Sequence, residues 1–203
     1  MAKIYEIDGV IPVVMPGAFV HPDAVLIGDV IVGPECYIGP NACLRGDMGP
    51  IILAEGVSVQ DNCVVHSFPE IETVVERQGH IGHSAILHGC RVGNDALVGM
   101  HTVVMDGAVI GDNAMVAAMS LVKAGFEIPP RVLAAGIPAR ILRNLTSDEQ
   151  AWMKQGAQAY KRLTSRSLAS LKPVAPLPQV DKARKRLNCS RILSQALHEF
   201  KQR

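Results

Sequence analysis

Along most of this chain an aliphatic residue returns at every sixth position, often with Gly directly after it and a small or medium residue four places further on. In the N-terminal half the aliphatic steps are Val14, Val20, Leu26, Val32, Ile38 and Leu44, with Ala18, Ala24, Val30, Cys36 and Ala42 in the small positions. Three extra residues near Met48 to Pro50 interrupt the count, which resumes at Leu53, Val59 and Val65. A second insertion, Ser67 to His80, precedes Val92, Val98, Val104, Ile110, Val116 and Val122. A period of six fits neither a helix nor the simple alternation of a sandwich strand. It predicts short strands joined by tight turns and wound into a coil, an all-β solenoid whose aliphatic residues stack in a narrow interior. Gly in the turns is expected to supply backbone conformations closed to other residues.

The period stops near Gly136-Ile-Pro-Ala-Arg140. Thr146-Ser-Asp-Glu149 has the form of a capping box, so a helix is predicted to start there. It should carry Trp152, Ala159 and Leu163 on or near one face and pack along the outside of the coil. Pro173-Val-Ala-Pro-Leu-Pro178 then reads as an extended linker. The expected organisation is a coil over 1–143, a packed helix over 144–172, and a linker with a basic tail over 173–203.

Composition narrows the function classes. Only eight of the 203 residues are aromatic, which suits a thin core, and 48% are hydrophobic, enough for one domain with a continuous interior. The first residues hold no apolar signal core, and no apolar run is long enough to cross a bilayer, so a soluble cytoplasmic protein without membrane contact is expected. Cys36, Cys43, Cys63 and Cys90 lie within the repeats without a CxxC pair and read as buried thiols. Residues 171–203 hold eight Lys or Arg against two acidic residues, and residues 1–170 hold twelve against seventeen. A basic tail on an acidic body, with no interleaved aromatics, argues against nucleic acid. It suits a neighbouring subunit or an anionic ligand such as a CoA phosphate.

Candidate chemistry lies in Gly79-His-Ile-Gly-His-Ser-Ala-Ile-Leu-His-Gly-Cys90. The step from Ile81 to Val92 is eleven residues, one short of two repeats. With Ile81 and Ile86 taken as successive starts, His83 and His88 both fall on the third, outward position of different sides of the coil. They cannot readily share a metal within one chain, but outward histidines from two subunits can converge. His66 precedes His88 by 22 residues, close to one coil plus the insertion, which places both on the same side. Three imidazoles with an open fourth position make a catalytic zinc site. His21, His80, His101 and His198 read instead as solvated or hydrogen-bonded.

Leu44-Arg-Gly-Asp47, Val59-Gln-Asp-Asn-Cys-Val-Val-His66 and Gly82-His-Ser-Ala-Ile-Leu-His-Gly-Cys90 together resemble the γ-class carbonic anhydrase family of hexapeptide-repeat proteins over about residues 10 to 145. His66-Ser-Phe-Pro-Glu70, Thr73-Val-Val75 and the Trp152 helix extend the resemblance to its phenylacetate-degradation (PaaY-type) branch, described as thioesterases; the carnitine-operon branch is a near relative. The resemblance implies a left-handed β-helix and a homotrimer with metal at the subunit interfaces, Zn²⁺ or another divalent ion such as Fe²⁺ or Co²⁺. His66 and His88 would come from one subunit and His83 from the next. Gln60 would orient the metal-bound water, and Arg45, Asp47 and Asp61 would form the ionic set bracing the interface. Met48 and Ser58 depart from the family pattern. Zn²⁺ held by imidazoles lowers the pKa of bound water from about 15.7 to about 7. The expected activity is metal-dependent hydrolysis of acyl-CoA thioesters in aromatic catabolism, with carbonic anhydrase, hexapeptide acyltransferase and non-enzymatic trimeric accessory protein as the alternatives. Glu70, Glu72 and Glu76 are candidate proton relays, and Lys123, Arg131 and Arg140 candidate phosphate contacts. Tyr160 either lines the pocket or packs in the helix.

Overall fold

The computed structural model describes residues 2–187. Its strands wind into a left-handed coil of triangular section with three parallel faces. The first face stacks Phe19–Val20, Tyr37–Ile38, Ser58–Val59, His80–Ile81, Leu97–Val98, Met115–Val116 and Val132–Gly136, the last paired antiparallel with Ala139–Asn144. The second stacks Lys3–Tyr5, the first parts of Val25–Val32 and Cys43–Leu53, then Val64–His66, Ile86–His88, Val103–Val104 and Leu121–Val122. The third runs from Val13–Val14 through the later parts of the same two long strands to Thr73–Val75, Arg91–Val92, Val109–Ile110 and Glu127–Ile128.

The aliphatic periodicity is the interior. Leu26, Ile38, Leu44, Val59, Val65, Val98 and Ile110 are fully buried in one continuous core, with Ala24, Cys36, Ala42, Cys63 and Ala96 filling the corners. Val14, at the open first turn, is exposed. All four cysteines among the described residues are free thiols, and burial pushes Cys36 and Cys90 up to about 12 and Cys63 to about 11. Those three are structural rather than nucleophilic.

The role expected of the glycines holds in part: Gly17, Gly56, Gly107 and Gly125 take left-handed turn positions. The left-handed backbone positions in many turns are held by other residues, among them Glu35, Asn41, Asn62, Ser84 and Asp95. A repeat glycine such as Gly82 serves close approach instead. A Cβ there would stand 2.8 Å from the backbone nitrogen of Met100 in the next coil. Stacking coils at strand spacing leaves no room for a side chain at that corner.

Two register readings also change. Ile86 is exposed while Leu87 is fully buried between Val65 and Val104, so the repeat start is Leu87. The shortened step therefore runs from Leu87 to Val92, not from Ile81 to Ile86. The segment Ser67 to His80 is not one insertion, because Thr73–Val75 pairs with both the strand below and Arg91–Val92 above. Val75 is buried and restores the period before Ile81.

The helix spans Ser147–Ser170. Thr146 accepts from the Glu149 backbone nitrogen at 3.2 Å, and Glu149 accepts from the Thr146 nitrogen at 3.0 Å, which completes the capping box. Arg143 reaches the same buried Glu149 carboxylate with two hydrogen bonds of 2.7 and 2.8 Å. The helix lies over the first face, where Met153 packs with Met115 and Leu145, and Trp152 packs against that cluster. Residues 171–187 form no helix or strand and are exposed. The rest of the expected basic tail, with His198, lies outside the described residues. No described helix is long and apolar enough to cross a membrane.

Candidate functional site

Two corners of the coil carry the candidate residues. At the second face, Val65 and Leu87 point inward, so Val64 and His66, and Ile86 and His88, point outward from adjacent strands. His66 and His88 are register partners. Both thus sit one residue after the buried aliphatic, and His83, in the turn after His80–Ile81, does not share the position of His88 as the spacing suggested.

His66 Nδ1 and His88 Nε2 face each other at 3.1 Å. Their far nitrogens are both held by carboxylates, His66 Nε2 by Asp47 at 3.0 Å and His88 Nδ1 by Asp106 at 2.5 Å. A carboxylate accepts only, so each imidazole directs its N–H away from the other. Two lone pairs then converge on one point, which calls for a cation or a shared proton. Asp47 is itself held by Arg45 at 2.7 Å. Desolvation raises the Asp47 pKa, but the hydrogen bonds from Arg45 and His66 prevail and hold it below the ordinary range. Asp106 escaped the sequence reading. It lies 18 residues past His88, one coil further on, and that count could have found it.

At the other corner, His83 Nδ1 lies 3.1 Å from Asp61 Oδ2, with both side chains about two-fifths exposed. His83 thus repeats the pattern of an imidazole backed by a carboxylate, and Asp61 acts on His83 within its own chain. Gln60, expected to orient a metal-bound water, gives its amide nitrogen to His80 Nε2 at 2.6 Å. His80 Nδ1 in turn lies 3.1 Å from Ser58 Oγ. This spends both ring nitrogens. Burial, reinforced by the nearby His83, pushes His80 down to about 4, so the ring is neutral. Tyr160 lines the cavity here and also packs, edge-on to His80 and to Tyr37.

His66, His88, Asp47 and Arg45 therefore meet at one corner, and His83, Asp61 and Gln60 at another. Among the described residues, no three His, Cys, Asp or Glu groups form a metal-holding cluster. Glu72 and Glu76 pair with Arg91 rather than facing the histidines. Lys123, Arg131 and Arg140 are exposed.

The bacterial transferase hexapeptide (six repeats) family model matches residues 12–46 and 89–124. The carnitine operon protein CaiE of Citrobacter koseri is 55% identical over 183 residues, covering 90% of this chain and 93% of that protein. The chain belongs to the hexapeptide-repeat family. CaiE of Escherichia coli O7:K1 is 54% identical over the same length. Among solved structures, a Bacillus cereus protein provisionally described as an acetyltransferase shares 37% identity, with a TM-score of 0.82, over 83% of this chain and 98% of its own. A hexapeptide transferase family protein from Anaplasma phagocytophilum shares 40%, with a TM-score of 0.78, over 81% and 97%. Family membership and these relatives support an acyltransferase-like or accessory role.

Proposed function

We propose that this protein hydrolyses acyl-CoA thioesters at a metal site completed between subunits of a homotrimer. The observation that carries the reading is the pair of facing imidazole nitrogens, each with its other nitrogen fixed by a carboxylate. Metal-ligating histidines characteristically donate their second N–H to such an acceptor. Two imidazoles on a tetrahedral zinc, each at about 2.0 to 2.1 Å, stand about 3.3 Å apart, and the 3.1 Å between His66 and His88 fits that set. His83, exposed and backed by Asp61, would be the third ligand, from the neighbouring subunit. Exposed Val64 and Ile86 beside the histidine pair are apolar surface of the kind a subunit contact would cover.

A divalent metal bound there supplies an activated water and polarises a carbonyl oxygen. The chain's own residues supply the rest. Asp47, Asp61 and Asp106 fix the ring orientations and raise the basicity of the ligands, and Arg45 holds Asp47 in place. Burial keeps His80 neutral beside His83, and Gln60 and Ser58 hold its ring in place.

A second reading, transfer of the acyl group to an amine or hydroxyl acceptor, is favoured by the transferase family description and by the relatives of known structure. In it the His66–His88 pair shares a proton and one ring acts as general base. The carnitine-operon relatives favour an accessory role for the same surface. The test is metal analysis and light scattering on the purified full chain, followed by a panel of acyl-CoA thioesters with and without amine acceptors, and stopped-flow CO₂ hydration. Metal-dependent thioester hydrolysis by a trimer is the expected result. Transfer only with an acceptor present supports the second reading, and CO₂ hydration without thioester turnover overturns both.

A further inference from the structure

Between the helix and the first face lies a cavity of about 480 Å³, with Tyr160 in its lining. Its walls are apolar, with Leu97, Met115, Trp152 and Met153 among them, and its lining includes no Lys, Arg, Asp or Glu. Polar side chains enter only through Gln60, His80, His83 and Tyr160. Met100 and Ala118 are exposed residues of its lining, and the His83 side chain is about two-fifths exposed, so the open side of the cavity includes the imidazole assigned to the metal site.

Gly156 strengthens the case. It sits inside the helix, where glycine is a poor former, and a Cβ built on it meets nothing nearer than His80 Cε1 at 4.0 Å. No packing contact requires the missing side chain. What its absence provides is open volume between helix and coil. An apolar cavity of about 150 Å³ accepts a benzene molecule, and this one is about three times larger.

From these observations we infer a ligand-binding site: the cavity under the helix takes an uncharged hydrophobic acyl group, with the carbonyl end toward His83 and the charged carrier outside. The absence of a charged residue in the lining excludes the phosphates of CoA from the interior, because an unpaired charge there would be desolvated without compensation. Methionines in the wall accommodate more than one shape of apolar group. The inference rests on the acyl-thioester reading above and names the part of the substrate that reading leaves open.

Trp152 is the single tryptophan of the chain and lies on the cavity wall, so its fluorescence reports occupancy without turnover. The full-length protein is titrated with a non-hydrolysable thioether analogue of an arylacyl-CoA and, separately, with free CoA. The expected result is a saturable Trp152 change with the analogue and none with free CoA. Gly156→Leu, which projects a side chain into the space, should weaken analogue binding by roughly tenfold or more. If that variant melts below the working temperature, Ala159→Leu narrows the same cavity from the next helical turn and is read the same way. Equal responses to analogue and free CoA, or unchanged affinity in the folded filled variant, would overturn the site. Saturable binding without hydrolysis leaves the site standing and removes the hydrolase reading. Hydrolysis of aryl thioesters at full rate in Gly156→Leu does the reverse.

Discussion

The two histidine corners are built from the same repeat yet differ in kind. At the His66–His88 corner, polar side chains back one another outward, ring to carboxylate to guanidinium. At the His83 corner, a neutral, partly buried His80 and a helix border an apolar volume, and one carboxylate-backed imidazole stands beside it. The first corner is arranged to hold charge, and the second to exclude it. They stand on different sides of one coil, and in the function proposed above a neighbouring subunit brings them face to face.

The strongest way to break this comparison is to remove one ligand from each corner. His88→Ala and His83→Ala should each abolish metal retention, measured by elemental analysis, and lower turnover by about a thousandfold, the several kcal/mol that a metal contributes. Under the proposed shared site, reassembling the two variants together should restore a fraction of sites that neither has alone. No recovery would place both corners in one subunit's site. Asp106→Asn tests the backing of the first corner and should weaken metal affinity by about 10- to 100-fold while leaving the fold intact, as read by chelator competition.

Acid should loosen the second corner selectively. His80 titrates at about 4 in the folded chain against an ordinary value near 6.5, so the unfolded chain takes up the proton first as pH falls. The stability this contributes is present above about pH 6.5 and is lost toward pH 4. At pH 5 the loss is about 2 kcal/mol, and His80→Gln should flatten that part of the unfolding profile. Thr146→Ala, which removes the cap that starts the helix over the cavity, should cost about 1 kcal/mol and show in thermal melts with little change in metal content. A large fall in metal content would mean that the helix also supports the first corner.

Much of the coil could be read directly, because period six has one physical solution: aliphatic residues stacked where successive coils meet. The capping box was equally legible, since Thr146 and Glu149 satisfy each other's backbone nitrogens through local contacts alone. Where Ile86 and Leu87 stand side by side, hydrophobicity could not say which faced inward, and the choice of Ile86 moved the shortened step. Pairing with Val65 and Val104 decides it for Leu87. Thr73–Val75 was hidden for a similar reason: an insertion of unmarked length on one side of it obscures a strand of three residues.

The candidate metal ligands were visible as residue types and spacings, and their carboxylate partners only in part. Asp47 and Asp61 were noticed as interface charges, yet each acts on a histidine of its own chain, and Asp106 went unnoticed. The sequence alone therefore determined the period, the interior and the helix start, all of which depend on neighbours within a repeat or a helical turn. The tertiary structure decided which nitrogens face one another, which carboxylates back them, and that a cavity remains under the helix. Those depend on contacts one coil apart or on the docking of the helix, and such distances are set by stacking rather than by order along the chain.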